Sequence, residues 1–259
     1  MNRHMFGRLS PSKRKMTLLR AVKRAVGKFE LLEKGDRVII AVSGGIDSMS
    51  LLDILTIKSA WWARFVEFIP VHVVAGFPHE TEDLDSMRDF TADRGFELVV
   101  LNRPEIAEIA LGDKRPQNPC FTCSRMRRKA LFEIADERGA NKVALGHHRE
   151  DVLHTLLINL FWGREIATMM PDQPLFGGRF HLIRPFYLTR QGQINQFAAV
   201  HNIPNLSATC PIDGNTRRDY VRNLLETLES QNPGTKSNMF RALFHPKPDY
   251  LLGRFAIKD

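Results

Sequence analysis

Cysteine is scarce in this chain, and long apolar runs are missing from it. Three cysteines occur in 259 residues, an odd number that does not suit a disulfide framework. No apolar stretch approaches the roughly 20 residues of a membrane helix, and no apolar segment follows the basic N-terminus. We therefore expect a cytoplasmic protein with no membrane partner.

Acidic residues are missing from the first 28 positions, which hold nine lysines and arginines. The remaining chain carries 28 basic and 29 acidic residues, so the net charge of +8 comes from this segment. Such a segment favours nucleic acid as its partner, although a solvated basic helix without a partner is the alternative. Apolar residues recur there at helical spacing, which predicts an amphipathic helix from Thr17 with Arg20, Lys23 and Arg24 facing away from the core.

Short apolar runs alternate with helical patterns through the middle of the chain, with no internal repeat. The predicted strands are 38–42, 65–75, 96–101 and 142–145, with an edge strand at 181–185. This alternation predicts an α/β fold, a doubly wound parallel sheet with an N-terminal helix and a C-terminal helical extension. We predict a basic N-terminal segment and helix over residues 1–30, the α/β domain over 31–190, and the extension, packed on the same domain, over 191–259.

A glycine-rich turn follows the first apolar run. Its residues are Ser43, Gly44, Gly45, Ile46, Asp47 and Ser48. A Gly-Gly turn between a buried strand and a helix brings backbone N–H groups close to an anion, so it predicts a phosphate site, with a plain strand-to-helix turn as the alternative. Asp47 repels phosphate and is expected to hold Mg²⁺ instead. The motif lacks the ending of a Walker loop and the third glycine of a dinucleotide fingerprint.

Two of the cysteines, Cys120 and Cys123, form a Cys-x-x-Cys pair, and Cys210 lies far along the chain. We expect the pair just before a helix that begins at Ser124, where the helix N-terminus and nearby arginines favour thiolates. Three thiolates could hold zinc with a fourth ligand, or three corners of a four-iron cluster. A redox pair is a third option, which leaves Cys210 without a role.

The segment from Gly146 to Asp151 follows the fourth predicted strand, at the same edge of the sheet as the glycine-rich turn. Its two histidines and two carboxylates fit metal ligands, but they also fit the start of a capped helix. Its position favours a functional role for Asp151. Three other histidines are expected to be structural, namely His72, His79 and His154.

These motifs together resemble the tRNA 2-thiocytidine biosynthesis proteins, the TtcA group of the PP-loop ATP pyrophosphatases. The resemblance runs from about residue 31 to 252. It is carried by residues 43–48, by Cys120-x-x-Cys123 with the arginines that follow, and by 144–151, 183–185, Cys210 and 238–243. The chain departs from the family pattern at Ile46, Glu150 and His154, where the family usually has Lys, Asp and Glu. The segment after the second strand is also shorter than usual.

The resemblance implies an enzyme that thiolates tRNA, using ATP, Mg²⁺ and a 4Fe-4S cluster. The cluster would be held by Cys120, Cys123 and Cys210, with one iron left open for sulfide. The implied catalytic residues are Asp47, Arg127 on the pyrophosphate side, and Asp151 for metal or proton handling. ATP would lie on residues 43–48, Gly146 and His147.

The reaction implied by the resemblance is adenylation of the C2 carbonyl of a cytosine in the anticodon loop, followed by sulfur transfer. The expected partners are tRNA and a sulfur donor such as a cysteine desulfurase or sulfide, while a homodimer stays open. Two alternatives remain. One is another PP-loop adenylating enzyme, for amine ligation to a tRNA base or sulfur transfer to a small molecule. The other is a non-catalytic iron–sulfur protein that binds RNA.

Overall fold

A computed structural model of the chain describes residues 11–112, 116, 118–206 and 216–251, with side chains from Met16. The chain divides into two compact units. The first contains residues 1–149 and 169–214, and the second contains 150–168 and 215–259. The three-part division at residues 30 and 190 stays a prediction.

Helices and strands alternate along most of the chain. The helices are α1 (Pro11–Lys28), α2 (Ile46–Leu55), α3 (Leu84–Ala92), α4 (Glu105–Leu111), α5 (Pro119–Glu137), α6 (Arg149–Ile158), α7 (Gln191–His201), α8 (Arg217–Gln231) and α9 (Thr235–Ala242). The strands are β1 (Arg37–Ala41), β2 (Glu67–Val74), β3 (Val99–Asn102), β4 (Lys142–Ala144), β5 (Asp172–Leu175) and β6 (Phe180–Ile183). None of these described helices combines the length and the apolar character needed to cross a membrane.

The strands form one sheet in the first unit, in the order β3-β2-β1-β4-β6-β5. All neighbouring pairs are parallel except β5 with β6. This confirms the predicted doubly wound sheet. The predicted edge position of residues 181–185 was wrong, because β6 lies between β4 and β5. The strand β5 contains Pro174, which has no N–H to give to a further strand and therefore suits the edge.

The central strand β1 is buried on both faces, which explains its continuous apolar sequence. Val38 and Ile40 belong to the core cluster that contains residues of α1, α2 and α7. Ile39 points the other way, into the cluster that contains residues of α4 and α5. Helices therefore cover both faces, and the carboxyl ends of the parallel strands meet at one edge.

The N-terminal helix confirms the predicted amphipathic pattern, although it begins at Pro11 and not at Thr17. Its apolar face is buried through Leu18, Leu19, Val22 and Val26. On the opposite side Arg20 and Arg24 are exposed, and Lys23 is half-buried.

A buried ion pair closes the amino edge of the sheet. Lys142 Nζ, at the start of β4, lies 2.7 Å from Asp36 Oδ2, just before β1. Lys142 Nζ also donates to the Leu31 carbonyl at 3.2 Å, and Asn141 Nδ2 donates to Asp36 Oδ1 at 2.8 Å. Because both charges have several hydrogen-bond partners, the pair fixes β4 beside β1 without leaving a buried charge unsatisfied.

The second unit is helical in its described part. Its buried side chains come from α6, α8 and α9, and include Val152, Leu153, Val221, Leu225 and Phe240. The helix α6 ends in a single π-helical turn, Asn159–Gly163, before Arg164 adopts a left-handed conformation with φ 58°. The helix α8 begins with a capping box, in which Asp219 N donates to Thr216 Oγ1 and Thr216 N donates to Asp219 Oδ2.

Candidate active site

The glycine-rich turn lies between β1 and α2, as predicted. Gly44 has φ +84°, a conformation that favours glycine. Ser48 Oγ donates to the Gly45 carbonyl at 2.9 Å and accepts from Ser43 N at 3.0 Å. Ser43 Oγ also donates to Ser48 Oγ at 3.1 Å. The two hydroxyl groups therefore brace the loop, and the backbone N–H groups at the start of α2 are left to meet an anion.

The Asp47 carboxylate is held in the first turn of α2. Its Oδ1 accepts a hydrogen bond of 2.8 Å from Gln191 Nε2, at the start of α7. Its Oδ2 lies 3.8 Å from Nε2 of the buried His148. The side chain is 37% exposed, so a cation can reach it. Gln191 was missed by the sequence reasoning, because nothing in its local pattern separates it from other polar residues at a helix start.

Gly146 allows the end of β4 to approach the glycine-rich turn. A Cβ atom at this position would lie 3.1 Å from the Asp47 backbone carbon and 3.2 Å from both Asp47 O and Ser48 N. These distances are shorter than most contacts of a Cβ atom. His147 next to it is half-buried. The end of β4 therefore lies against the glycine-rich turn, at the edge of the sheet where the segment from Gly146 was predicted to lie.

The cysteine pair lies inside α5, not before it as predicted. The helix begins at Pro119, whose fixed φ suits the first helical position, so Cys120 lies in its first turn and Cys123 at the start of its second. A spacing of three residues puts the two thiols on the same side of the helix. Cys120 is exposed, and Cys123 is half-buried against the core cluster that contains Ala130 and Leu131. Because α5 runs towards the start of β4, its N-terminus lies at the carboxyl edge of the sheet.

Cys210 lies outside the described residues. The described chain before it ends at Leu206, whose N–H donates to the Gly44 carbonyl at 2.8 Å. Within the described ranges, no group of three or more His, Cys, Asp or Glu side chains could hold a metal ion.

Arg127 is anchored by a buried carboxylate. Its Nη2 lies 2.6 Å from Glu80 Oε1, and its Nη1 donates to the Val73 carbonyl at 2.9 Å. The second oxygen of Glu80 accepts from Ala75 N at 2.7 Å and from Phe77 N at 3.1 Å. Glu80 therefore joins the segment after β2 to the helix that carries the cysteines. The sequence reasoning missed it, although its position just after a strand at the carboxyl edge was a signal.

His72 holds the backbone of Val42, the residue just before the glycine-rich turn. It is buried on β2, and its Nδ1 lies 2.7 Å from the Val42 carbonyl, which can only accept, so this nitrogen carries the proton. Burial lowers the pKa of His72 below its ordinary value, against the opposing effect of the Val42 hydrogen bond. The ring is therefore neutral at pH 7, in keeping with the structural role expected for it.

Asp151 belongs to the second unit, in the first turn of α6. Its Oδ1 accepts a hydrogen bond of 3.0 Å from Arg218 Nη1, and its side chain is 13% exposed. A carboxylate held in this way complements the dipole of α6. Its role in metal or proton handling stays a prediction.

Comparison with known proteins agrees with this geometry. The PP-loop domain family matches residues 15–228. The chain is 34% identical over 239 residues to a tRNA-cytidine(32) 2-sulfurtransferase of Nitrosospira multiformis, which covers 91% of this chain and 78% of that protein. It is 32% identical over 249 residues to the enzyme of the same name from Marinobacter nauticus, with 94% and 80% covered.

A solved structure has the same fold. The U34-tRNA thiolase NcsA from Methanococcus maripaludis, solved with its 4Fe-4S cluster, superposes with a TM-score of 0.71 at 20% identity, covering 90% of this chain and 78% of that chain. At this identity the likeness concerns the fold alone. Together with the family match and the two relatives, the loop at residues 43–48 places the chain in the PP-loop family, among the tRNA-cytidine(32) 2-sulfurtransferases.

Proposed function

We propose that this protein thiolates a cytosine of tRNA at C2 in an ATP-dependent reaction. One observation carries the proposal: the helix with the cysteine pair, and the described chain that leads to Cys210, are both bonded to the edge of the sheet where the PP-loop lies. Arg127 of α5 bonds the Val73 carbonyl, near the end of β2. Leu206, four residues before Cys210, bonds the Gly44 carbonyl. A glycine-rich loop and a cysteine pair at one edge, with a third cysteine four residues beyond Leu206 in the sequence, fit a reaction that couples nucleotide cleavage to sulfur transfer.

The first step is adenylation of the base. The C2 carbonyl oxygen of the cytosine attacks the α-phosphorus of ATP, and pyrophosphate leaves. Backbone N–H groups at residues 45–48 face the phosphates, and the positive end of the α2 dipole stabilises their charge. The exposed Ser43 and the half-buried Ile46 and His147 lie around the nucleotide. Because Gly146 has no side chain, it leaves space for the backbone of Asp47 and Ser48.

The second step replaces oxygen by sulfur. A hydrosulfide forms the C2–S bond and then loses its proton, while the C2–O bond breaks and AMP leaves with the oxygen. Free sulfide supplies this hydrosulfide directly, whereas the persulfide of a cysteine desulfurase supplies it after a two-electron reduction by thiols. The chain positions the activated base, so that the two reactants meet at close range.

Asp47 fits a Mg²⁺ site by the chemistry of its donor atoms. Its carboxylate is accessible and is oriented by Gln191, and Mg²⁺ prefers oxygen ligands shared with phosphates. When bound, Mg²⁺ neutralises charge on the phosphates. Arg127 is proposed for the pyrophosphate side, although its contacts with Glu80 and Val73 also give it an anchoring role. Asp151 is proposed for metal or proton handling.

The three cysteines fit a 4Fe-4S cluster by their donor set. Cys120 and Cys123 lie one turn apart at a helix N-terminus, and Cys210 would supply the third thiolate. When bound, a cluster with three protein ligands offers one iron on which sulfur can be delivered. Iron and sulfide analysis of the anaerobically purified protein separates this function from amine ligation to tRNA, which needs no such cluster.

The test is a complementation experiment in cells that lack the protein, with mass spectrometry of their tRNA nucleosides. Thiolated cytidine should disappear, return with the parent protein, and stay absent with Asp47→Asn. In vitro, Asp47→Asn should bind tRNA nearly as well as the parent but release no pyrophosphate, because it loses a metal ligand and no basic surface. Asp85→Asn, at an exposed carboxylate of α3, is the matched control. An unchanged nucleoside profile without the protein would reject the proposal.

A further inference from the structure

Three aromatic rings form a row on the surface of the second unit. Phe161 and Trp162 belong to the π-helical turn after α6, and Tyr220 to the first turn of α8. They are 47%, 39% and 61% exposed, respectively. The ring centroids of Phe161 and Trp162 lie 5.6 Å apart, and those of Trp162 and Tyr220 lie 5.9 Å apart, both pairs edge to face. Grouped exposed aromatic side chains indicate an interaction surface.

Two local devices hold this aromatic row in place. The π-helical turn, which ends at the left-handed Arg164, presents consecutive large side chains to solvent. Turns of π-helix are rare in proteins, and those that occur often lie at functional sites. On the other side, the capping box of Thr216 and Asp219 fixes the start of α8 and with it Tyr220. Rings held in this way lose little conformational entropy when a ligand stacks on them.

A cation accompanies the rings. The Arg217 guanidinium carbon lies 5.3 Å from the centre of the Trp162 ring. Its helix neighbours are neutralised, Arg218 by Asp151 and Arg222 by Asp219. Arg217 itself forms no ion pair with any residue that the structure describes. The aromatic row therefore carries one uncompensated positive charge beside its apolar ring surfaces.

We propose that the aromatic row binds unpaired bases of the tRNA substrate by stacking, with Arg217 contacting a neighbouring phosphate. This inference rests on the proposed function for the presence of tRNA. Flat exposed rings beside a guanidinium match single-stranded RNA, whose splayed bases stack on aromatic side chains while its backbone meets cations.

The test compares binding of an unmodified tRNA transcript by the full-length protein and its variants. Tyr220→Ala and Phe161→Ala should each weaken binding about tenfold, the usual effect of removing one aromatic ring on which a base stacks. The slope of log affinity against log salt should not change, because every cation that meets a phosphate is still present. Arg217→Gln should instead reduce the slope by roughly 0.7 units. Trp61→Ala, at a tryptophan of the first unit that is 45% exposed, is the control and should bind like the parent.

Competition with a fully paired RNA duplex completes the design. Duplex RNA should displace bound tRNA equally well from the parent protein and from Tyr220→Ala. The isolated anticodon stem-loop should displace bound tRNA well only from the parent. Equal binding of tRNA by the parent and by all aromatic variants would overturn the inference and leave the proposed function intact. Equal weakening for stem-loop and duplex, or a lowered melting temperature that accounts for the weaker binding, would also overturn it. A parent protein that binds no tRNA would reject the proposed function itself.

Discussion

Glu80 joins the segment after β2 to α5 through three hydrogen bonds of its side chain. It satisfies two backbone N–H groups after β2 and the guanidinium of Arg127, while its own side chain is 7% exposed. Glu80→Gln keeps the shape but removes the charge, and leaves a largely buried guanidinium without its counter-ion. We expect the free energy of unfolding to fall by about 1–3 kcal/mol, measured by urea denaturation.

The matched control for this change is Glu82→Gln, at a neighbouring exposed carboxylate that pairs with His79, and it should have little effect. Equal stability of the two variants would show that the Glu80 contacts are not needed for folding.

A further variant, Arg127→Lys, separates the two proposed roles of Arg127. If the arginine only anchors α5, the free energy of unfolding and the rate of pyrophosphate release should fall together. If the arginine binds pyrophosphate, the release rate should fall much more than the loss of folded protein explains.

At the scale of elements, the contact between β4 and the PP-loop depends on Gly146. In Gly146→Ala the new methyl group would press on the Asp47 and Ser48 backbone, so the loop must move by a few tenths of an ångström. We expect pyrophosphate release to fall roughly tenfold or more, because small displacements of positioned groups are costly to catalysis. Gly192→Ala is the control, since a Cβ atom there meets nothing within 4 Å. Equal activity of the two variants would contradict the close approach.

The helices and strands differ in how well the sequence predicted them. The long periodic helices and the buried strands β1, β2 and β4 were predicted near their observed positions, because each carries a strong apolar pattern. The short elements α4 and β5 were missed, since seven and four residues give too little periodicity. The predicted start of α5 at Ser124 was wrong, because the helix already begins at Pro119, and proline suits the first turn of a helix.

Within the site, residues of the PP-loop and at the ends of strands could be predicted, because their type and position carry the signal. Gln191 could not, because its importance arises from a contact with Asp47, 144 positions away in the chain. Glu80 carried a signal in its position after β2, but its partner Arg127 lies 47 positions away. The hydroxyl groups of Ser43 and Ser48 bond within the loop, a pairing that the motif alone does not predict. Side-chain partners of this kind depend on the folded structure.

At the scale of the whole molecule, the basic N-terminal helix is proposed to track tRNA phosphates. Replacing Arg20, Lys23 and Arg24 by Gln should weaken tRNA binding at low salt. It should also flatten the salt dependence by roughly 0.7–0.9 units for each phosphate that no longer meets a cation. Stability should change little, because the core face of α1 stays intact. Salt titrations of binding measure this. An unchanged slope would move the phosphate-binding surface to the arginines of α5 or to the C-terminal helices.

The order of the strands also determines when the nascent chain can complete its sheet. Arg37 N, at the start of β1, donates to the side chain of Asn141, which lies 104 residues further along the chain. At about 5–20 residues per second, a ribosome needs roughly 5–20 s to make that stretch. During this interval one edge of the most apolar strand has no neighbour, which makes it a template for association with other nascent chains. Production of this protein should therefore depend on chaperones that shield emerging chains, and slower translation should increase that demand.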